Sequence, residues 1–363
     1  MKFDIIAGAR PNFMKIAPII RAIEARQQAG SALDYRLVHT GQHYDPKLSE
    51  AFFEQLGIPE PDVNLEVGSG TQSEQAAAIM TCYEKLLLNE SSALCLVVGD
   101  VTSTMACAIA AQKLGIPVAH VEGGIRSGDW SMPEEINRLV TDAITRWFFT
   151  TSEHANGHLR AAGVGEERIF FVGNTMIDTL FANLDRLRPA PFFGELGLQT
   201  GEYLTVTLHR PTNVDDPGTL RELICAICEN ARGLPVIFPV HPRTARNLDA
   251  MGDRPVNLHR VDPQPYLEFI HLVKHAKAVI TDSGGITEEA TVLGIPCMTL
   301  RDTTERPETV EQGTNALLGT DPAAIAPALD RLFAGAWQIG SVPARWDGRA
   351  AERIVGRLEK LLD

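Results

Sequence analysis

No apolar run in this chain approaches the roughly 18 residues that a membrane-spanning helix requires. Its opening residues, Met1-Lys-Phe-Asp-Ile-Ile-Ala-Gly-Ala-Arg10, lack the apolar core and cleavage site of a signal peptide. Those absences predict a cytoplasmic protein with no membrane partner. Positive charge is also scarce, with 33 Lys and Arg against 46 Asp and Glu and a formal net charge of −13. That balance opposes the basic field of a nucleic-acid binder, so no nucleic-acid partner is expected and any anionic ligand must meet local cations. Cysteines number six and lie mostly in apolar or helical stretches. Cys225-Ala-Ile-Cys228 has redox or metal spacing, yet it falls within the helical pattern Leu220-x-x-Leu223-Ile224-x-x-Ile227, and no second cysteine pair or nearby histidine pair completes a site. No metal is predicted. The turn after the first strand is not Gly-x-Gly-x-x-Gly, so a nicotinamide cofactor is poorly supported.

What the chain does have is a repeated alternation. Apolar runs of a few residues, each followed by turn residues and a helical pattern, occur at Phe3 to Ala7, Tyr35 to Thr40, Leu94 to Val98, Val118 to Val121 and Trp147 to Thr150. A second series runs through Leu204 to Leu208, Val236 to Val240, Val256 to His259, Ala278 to Thr281 and Cys297 to Leu300. Short continuous apolar strands alternating with helices predict parallel sheets covered on both faces. At 363 residues the chain exceeds what one core usually supports, so the two series read as two Rossmann-like, doubly wound α/β domains. The expected division is residues 1–173 and 174–345, with an amphipathic helix over about 346–363 at the end. Leu-Gly-Ile-Pro recurs at Leu56, Leu114 and Leu293, each time as a helix end with a left-handed glycine and a proline stop.

Several strand ends carry chemistry. In Val279-Ile-Thr-Asp-Ser283-Gly284-Gly285 a strand enters a helix through two glycines, which leaves backbone N–H groups facing outward at the positive end of the helix dipole. That is a phosphate seat. Glu289, about one helical turn further on, can accept hydrogen bonds from a ribose diol. Gly8-Ala-Arg10-Pro-Asn-Phe-Met-Lys15 brings two cations to the start of the first helix. Gly99-Asp100, Glu122-Gly-Gly and Pro133-Glu134-Glu135 put carboxylates at strand ends or a helix start, where clustering shifts their proton affinities apart. His209 and Arg210, His241, and Arg306 sit at strand ends of the second series. Taken singly, each has an ordinary reading as a cap, a helical salt bridge or a solvated turn.

Taken together, Gly8 to Lys15, Thr40-Gly-Gln42-His-Tyr-Asp45, Gly99-Asp100, Glu122-Gly-Gly, Pro133-Glu-Glu-x-Asn-Arg138, His209-Arg210, Asp282-Ser-Gly-Gly and Thr304-Glu-Arg306-Pro-Glu308 resemble the non-hydrolysing UDP-N-acetylglucosamine 2-epimerases over nearly the whole chain. The resemblance implies the glycosyltransferase-B architecture, with an active site in the interdomain cleft and the C-terminal helix crossing back onto the first domain. It implies a cytoplasmic homodimer that acts on a UDP-sugar with no metal and no cofactor, in cell-surface polysaccharide biosynthesis. By the same resemblance Asp100, Glu122 and Glu134 are acid/base groups and His209 supports the departing diphosphate. Ser283, Gly284 and Gly285 bind phosphate with Arg10 in support, Lys15 lines the cleft, and Glu289 holds ribose. Phe269 lies near uracil, and Arg138 and Arg306 line the sugar and phosphate pocket.

Gln42, Arg210 and His241 match parts of the site through which a second substrate molecule activates some bacterial members. Asp45 replaces a glutamine of that site, and the loop Gly128-Asp-Trp-Ser-Met-Pro133 is shorter than the Gly-Asp-x-Tyr-Ser-Pro-x-Pro form of many members. The nearest alternative is epimerisation of UDP-2,3-diacetamido-2,3-dideoxyglucuronate, whose enzymes resemble Thr-Glu-Trp where this chain has Thr304-Glu305-Arg306. A hydrolysing epimerase, a glycosyltransferase on the same architecture and a binding regulator without turnover complete the alternatives.

Overall fold

The computed structural model describes residues 2–41, 55–249 and 255–362. The chain divides into two compact units, Met1–Ala182 together with Ala344–Asp363, and Asn183–Pro343. Each is a parallel sheet with helices on both faces.

The first unit runs β1 (Lys2–Ala7), α1 (Arg10–Gln28), β2 (Asp34–His39), β3 (Val63–Asn64), α2 (Gln72–Asn89), β4 (Cys95–Val98), α3 (Thr102–Lys113), β5 (Val118–Val121), α4 (Pro133–Ile144), β6 (Trp147–Thr150), α5 (Glu153–Ala161), β7 (Ile169–Phe171) and α6 (Thr175–Asn183). Its strand order is β3-β2-β1-β4-β5-β6-β7. The order reverses between β1 and β4, so ligand-binding turns are expected at their carboxyl ends. The central strands are buried throughout, as a sheet covered on both faces requires. Asp4 is an exception within β1, and it is buried because Arg36 on β2 grips it through two hydrogen bonds of 2.9 Å while the Tyr83 hydroxyl donates a third at 2.8 Å.

The second unit runs α7 (Pro191–Glu195), β8 (Leu204–Thr207), α8 (Pro211–Val214), α9 (Pro217–Asn230), β9 (Val236–Pro239), α10 (Pro242–Asp249), β10 (Leu258–Val261), α11 (Tyr266–His275), β11 (Ala278–Thr281), α12 (Gly284–Leu293), β12 (Cys297–Thr299), α13 (Pro307–Glu311), β13 (Asn315–Leu317) and α14 (Ile325–Phe333). The strand order β10-β9-β8-β11-β12-β13 reverses between β8 and β11. The last helix, α15 (Ala350–Leu362), belongs to the first unit. Asp178 caps its start by accepting from the Ala350 and Ala351 N–H groups at 3.1 and 2.6 Å, and buried Trp346 donates to the Thr151 carbonyl at 3.0 Å.

Most strands lie within a residue of their expected positions. Expected Val256 to His259 is instead β10 at Leu258–Val261, because a turn closed by the Leu258 N–H on the Pro255 carbonyl at 3.1 Å leaves Val256 in solvent. The three-residue strands β7 and β13 were not expected, since runs that short carry no usable period. Gly57, Gly115 and Gly294, the three Leu-Gly-Ile-Pro glycines, all adopt the left-handed conformation. Cys225 and Cys228 are free cysteines on α9, and burial pushes the Cys228 thiol up to about 12. Among the described residues no helix is long and apolar enough to cross a membrane, and no His, Cys, Asp and Glu cluster could hold a metal ion.

Candidate active site

In the first unit the candidate residues collect at the carboxyl ends of β1, β4 and β5, on either side of the strand reversal. Asn12 shapes the first turn: its side-chain oxygen accepts from the Gly8 and Ala9 N–H groups, both at 3.1 Å, and its amide donates to the Val98 carbonyl at 2.8 Å. Arg10 is the first residue of α1. One turn on, the Lys15 ammonium meets a Glu122 carboxylate oxygen at 2.7 Å, and both side chains are largely buried. Gly99 makes room for that pair, since a Cβ there would lie 3.1 Å from the Lys15 nitrogen, and its φ of +68° suits glycine.

Asp100 is held differently. The Arg138 guanidinium donates to one Asp100 oxygen from Nε at 3.0 Å and Nη2 at 2.5 Å, and Nη1 reaches Glu135 at 2.8 Å. Asn137 adds a bond to the Asp100 backbone carbonyl at 2.9 Å. Burial pushes the Glu135 carboxyl up, but the Ser127 N–H, Arg138, the Gly128 N–H and the Ser127 hydroxyl together hold it below the usual carboxylate range. Glu134, half-buried in the first turn of α4, makes no side-chain hydrogen bond or ion pair with a described residue.

Glu122 has a φ of +70°, a left-handed conformation that costs a non-glycine residue about 1 kcal/mol or more and persists only where neighbours over-determine it. Here they do. Its N–H donates to the Phe149 carbonyl at 2.9 Å, and two residues on the Gly124 N–H donates to buried Asp142 at 3.0 Å. Gly124 must be glycine, because a Cβ there would lie 2.5 Å from the Ala155 carbonyl oxygen.

In the second unit the reversal between β8 and β11 is organised by Asp282, which is fully buried. It accepts from the His209 and Arg210 N–H groups, at 3.0 and 2.9 Å to one oxygen, and from the Asn213 amide at 3.1 Å, and the His209 ring nitrogen Nδ1 lies 2.9 Å away. Burial pushes its carboxyl up, but the His209 hydrogen bond and charge, with the Arg210 and Asn213 donors, bring it below the usual range. The His209 side chain is 56% exposed, so its other ring nitrogen is accessible to a ligand. Ser283 precedes α12, whose first residues are Gly284 and Gly285. A Cβ on Gly284 would meet Glu305 at 3.7 Å and Arg301 at 3.9 Å, so charged groups flank this helix start.

The cations here are paired within the unit. Arg301 and Glu305 form two hydrogen bonds of 2.7 and 2.8 Å, Arg210 approaches Glu305 at 3.9 Å, and Arg306 is bonded to Glu288. Glu289 is buried and accepts the Tyr266 hydroxyl at 2.9 Å. Burial drives its carboxyl up to about 8; the Tyr266 bond opposes this and the neighbouring Glu288 charge adds to it.

Phe269 is partly buried against the cluster of Leu198, Tyr203, Ile237 and Val279. His241 is exposed just after β9, and Gln42 lies outside the described residues. A cavity of about 620 Å³ opens at the ends of β9 and β10 beside Phe192, Val240, Arg260 and Gln264, and none of the candidate residues lines it.

The sequence motifs named neither Asp142 nor Asp282 as site residues, nor His120 and Tyr266. Asp282 left a signal: a carboxylate ending an apolar strand directly before a glycine turn must be buried and must therefore be holding donors. The others act through partners that only the tertiary fold brings near.

The chain matches the family model described as UDP-N-acetylglucosamine 2-epimerase across residues 25–359. A UDP-N-acetylglucosamine 2-epimerase of Methanocaldococcus jannaschii is 39% identical, with 98% of each chain covered. A UDP-2,3-diacetamido-2,3-dideoxy-D-glucuronate 2-epimerase of Pseudomonas aeruginosa is likewise 39% identical, with 88% of each covered. The crystal structure of the M. jannaschii UDP-GlcNAc 2-epimerase in complex with UDP-GlcNAc and UDP matches this fold with a TM-score of 0.88 at 38% identity, over 99% of this chain and 100% of that one. The two α/β units thus have the glycosyltransferase-B-like arrangement of sheets and helices.

Proposed function

The chain belongs to the UDP-N-acetylglucosamine 2-epimerase family, and on that premise we propose that it interconverts UDP-N-acetylglucosamine and UDP-N-acetylmannosamine. The observation that carries this reading is the near full-length similarity to the M. jannaschii epimerase, joined to strand-end carboxylates that are each held by a cation. The hydrogen on sugar carbon 2 is not next to a carbonyl, so its direct removal would leave an unstabilised carbanion. Elimination avoids this: a carboxylate takes the proton, the carbon 1–oxygen bond breaks, and UDP departs with the electron pair to leave a glycal. Protonation at carbon 2 from the opposite face and return of the UDP oxygen to carbon 1 complete the epimerisation.

In this reading Asp100, Glu122 and Glu134 exchange the protons, and Lys15 and Arg138 hold two of them in place. The second unit retains UDP: the backbone at Ser283, Gly284 and Gly285 takes phosphate, His209 supports the leaving diphosphate, Glu289 faces ribose and Phe269 lies near uracil. Arg10 and Arg306 complete the anion's surroundings. The protein works as a cytoplasmic homodimer that supplies a nucleotide sugar for surface polysaccharide. The similarity to the P. aeruginosa enzyme makes the diacetamido uronate the second reading. Arg306 in place of that group's tryptophan favours N-acetylglucosamine.

Proton NMR of the protein with UDP-N-acetylglucosamine in deuterated water tests the proposal. UDP-N-acetylmannosamine carrying deuterium at carbon 2 is expected. Free N-acetylmannosamine with UDP would mean hydrolysis, and an unchanged spectrum would move the reading to the diacetamido uronate.

A further inference from the structure

His120 lies in the middle of β5, almost wholly buried, and both of its ring nitrogens are engaged. Nε2 is 2.8 Å from the Gly99 carbonyl oxygen, and Nδ1 is 2.8 Å from Asp142 Oδ1 on α4. The other Asp142 oxygen accepts the Gly124 N–H at 3.0 Å and the Arg126 guanidinium at 2.6 Å. Gly99 is the residue before Asp100, and Gly124 closes the turn that begins at Glu122. One imidazole and one carboxylate therefore tie together the two turns that carry the acid/base candidates. The turn is packed directly on the pair, because a Cβ on Gly123 would lie 3.4 Å from both His120 Nδ1 and Asp142 Oδ1.

The hydrogen-bond accounting fixes the form of the imidazole. A carbonyl oxygen and a carboxylate both accept and neither donates. Two ring nitrogens facing two acceptors each carry a proton when Asp142 is ionised, and although burial pushes the Asp142 carboxyl up, His120 and Arg126 bring it below the usual carboxylate range.

We propose that His120 and Asp142 are positioning residues for the reaction, a buried imidazolium–carboxylate pair that fixes the Asp100 turn and the Glu122 turn against each other. The inference rests on the epimerase reading for its consequence, but not for its geometry. Neither side chain acts on the sugar. Each holds a backbone group one or two residues from one that does, in the way that supporting bonds hold a reacting group to within the fraction of an ångström catalysis requires.

The experiment has two arms on the full-length protein. In the first, substrate-free protein labelled with ¹⁵N-histidine is examined by long-range ¹H–¹⁵N correlation at neutral pH, with the His120 signals identified by their loss in His120→Gln. Two protonated ring nitrogens are expected, and one unprotonated nitrogen would overturn the pair as described. In the second arm, Asp142→Asn and His120→Gln are assayed with UDP-N-acetylglucosamine. Asparagine keeps the volume of Asp142 but removes its charge. With its oxygen toward the Gly124 N–H and Arg126 it presents an NH₂ to His120 Nδ1, which breaks the imidazolium–carboxylate pair, while glutamine can reach the Gly99 carbonyl without a charged donor for Asp142.

We expect kcat to fall about 100-fold with KM changed less than about threefold, and free glycal with UDP to appear as the two turns lose register. Wild-type kcat in both folded variants would overturn the positioning role. Should Asp142→Asn fail to fold, His120→Gln and the nitrogen shifts decide; should His120→Gln fail to fold, the kinetics of Asp142→Asn decide. Inactivity of the wild-type protein toward the nucleotide sugar would overturn the epimerase reading instead, while the nitrogen shifts still report on His120.

Discussion

The two units use the same strand reversal to opposite electrostatic ends. In the first, the carboxylates at the strand reversal are each met by a cation: Asp100 by Arg138 and Glu122 by Lys15. In the second, the buried Glu289 has a tyrosine hydroxyl rather than a cation, and the nearby arginines are taken by Glu288 and Glu305. Carboxylates gripped in this way are fixed in direction, which suits proton transfer. In the proposed reading, backbone N–H groups at the start of α12 seat an anion that must be held and released, without a fixed strong charge. The difference predicts that mutations at the cation-held carboxylates of the first unit act on turnover and those at the start of α12 in the second on nucleotide affinity.

The sharpest break of that comparison is Asp100→Asn. An amide cannot take a proton, so we expect kcat to fall about 10³-fold or more while UDP affinity, measured by calorimetry, stays near wild type. Normal turnover would remove Asp100 from the acid/base set. Lys15→Met comes next. It leaves Glu122 buried beside no ammonium, and a buried carboxylate that loses its cation takes up a proton more readily. Turnover should fall about 100-fold at neutral pH and recover partly as the pH is raised, so that the acidic limb of the pH–rate profile moves upward. A uniform loss at every pH would mean that Lys15 acts on substrate and not on Glu122.

On the second unit, Gly284→Ala separates anion binding from stability. The added methyl meets Glu305 and Arg301 at ordinary contact distances of 3.7 and 3.9 Å, and alanine is the better helix former, so the melting temperature should not fall. The same methyl stands where the proposed function brings a diphosphate to the backbone. UDP affinity should weaken about tenfold, roughly 1.4 kcal/mol, with a smaller effect on kcat. A change in kcat larger than the change in affinity would erase the division of labour between the units.

How much of this could be read from the chain follows from the range of the interactions. The alternation of apolar runs and helices, the Ser-Gly-Gly seat and the Leu-Gly-Ile-Pro helix ends are local, and the periods of strand and helix expose them. Strand order is not local. Lys15 meets Glu122 across 107 residues only because β1, β4 and β5 are neighbours through β4, and the same adjacency puts His120 against Gly99. Neither pairing leaves a mark in the spacing of the sequence. Glu289 shows a different gap: its helical position was legible, one turn beyond Gly285, but the proximity of Tyr266 on α11 was not.

That tyrosine gives the last and smallest test of the contrast between cation-held and cation-free acids. Burial raises the Glu289 carboxyl to about 8, whereas an unfolded chain would titrate it near the ordinary glutamate value of 4.5. Between those two values the folded state keeps a proton that the unfolded chain has lost, so the contribution of Glu289 to stability is full below about 4.5 and declines as the pH rises toward 8. Glutamine has no proton to lose and removes the slope. Ligand-free Glu289→Gln should therefore gain stability relative to wild type as the pH goes from 5 to 8. A shift of this size caps the gain at several kcal/mol, and relaxation of the site around the charge brings it to about 1 kcal/mol. Paired denaturation curves at the two pH values measure the difference directly. If the gap between variant and wild type is the same at both, Glu289 is ionised in the folded protein, and its hydroxyl partner serves it as well as a cation serves Asp100.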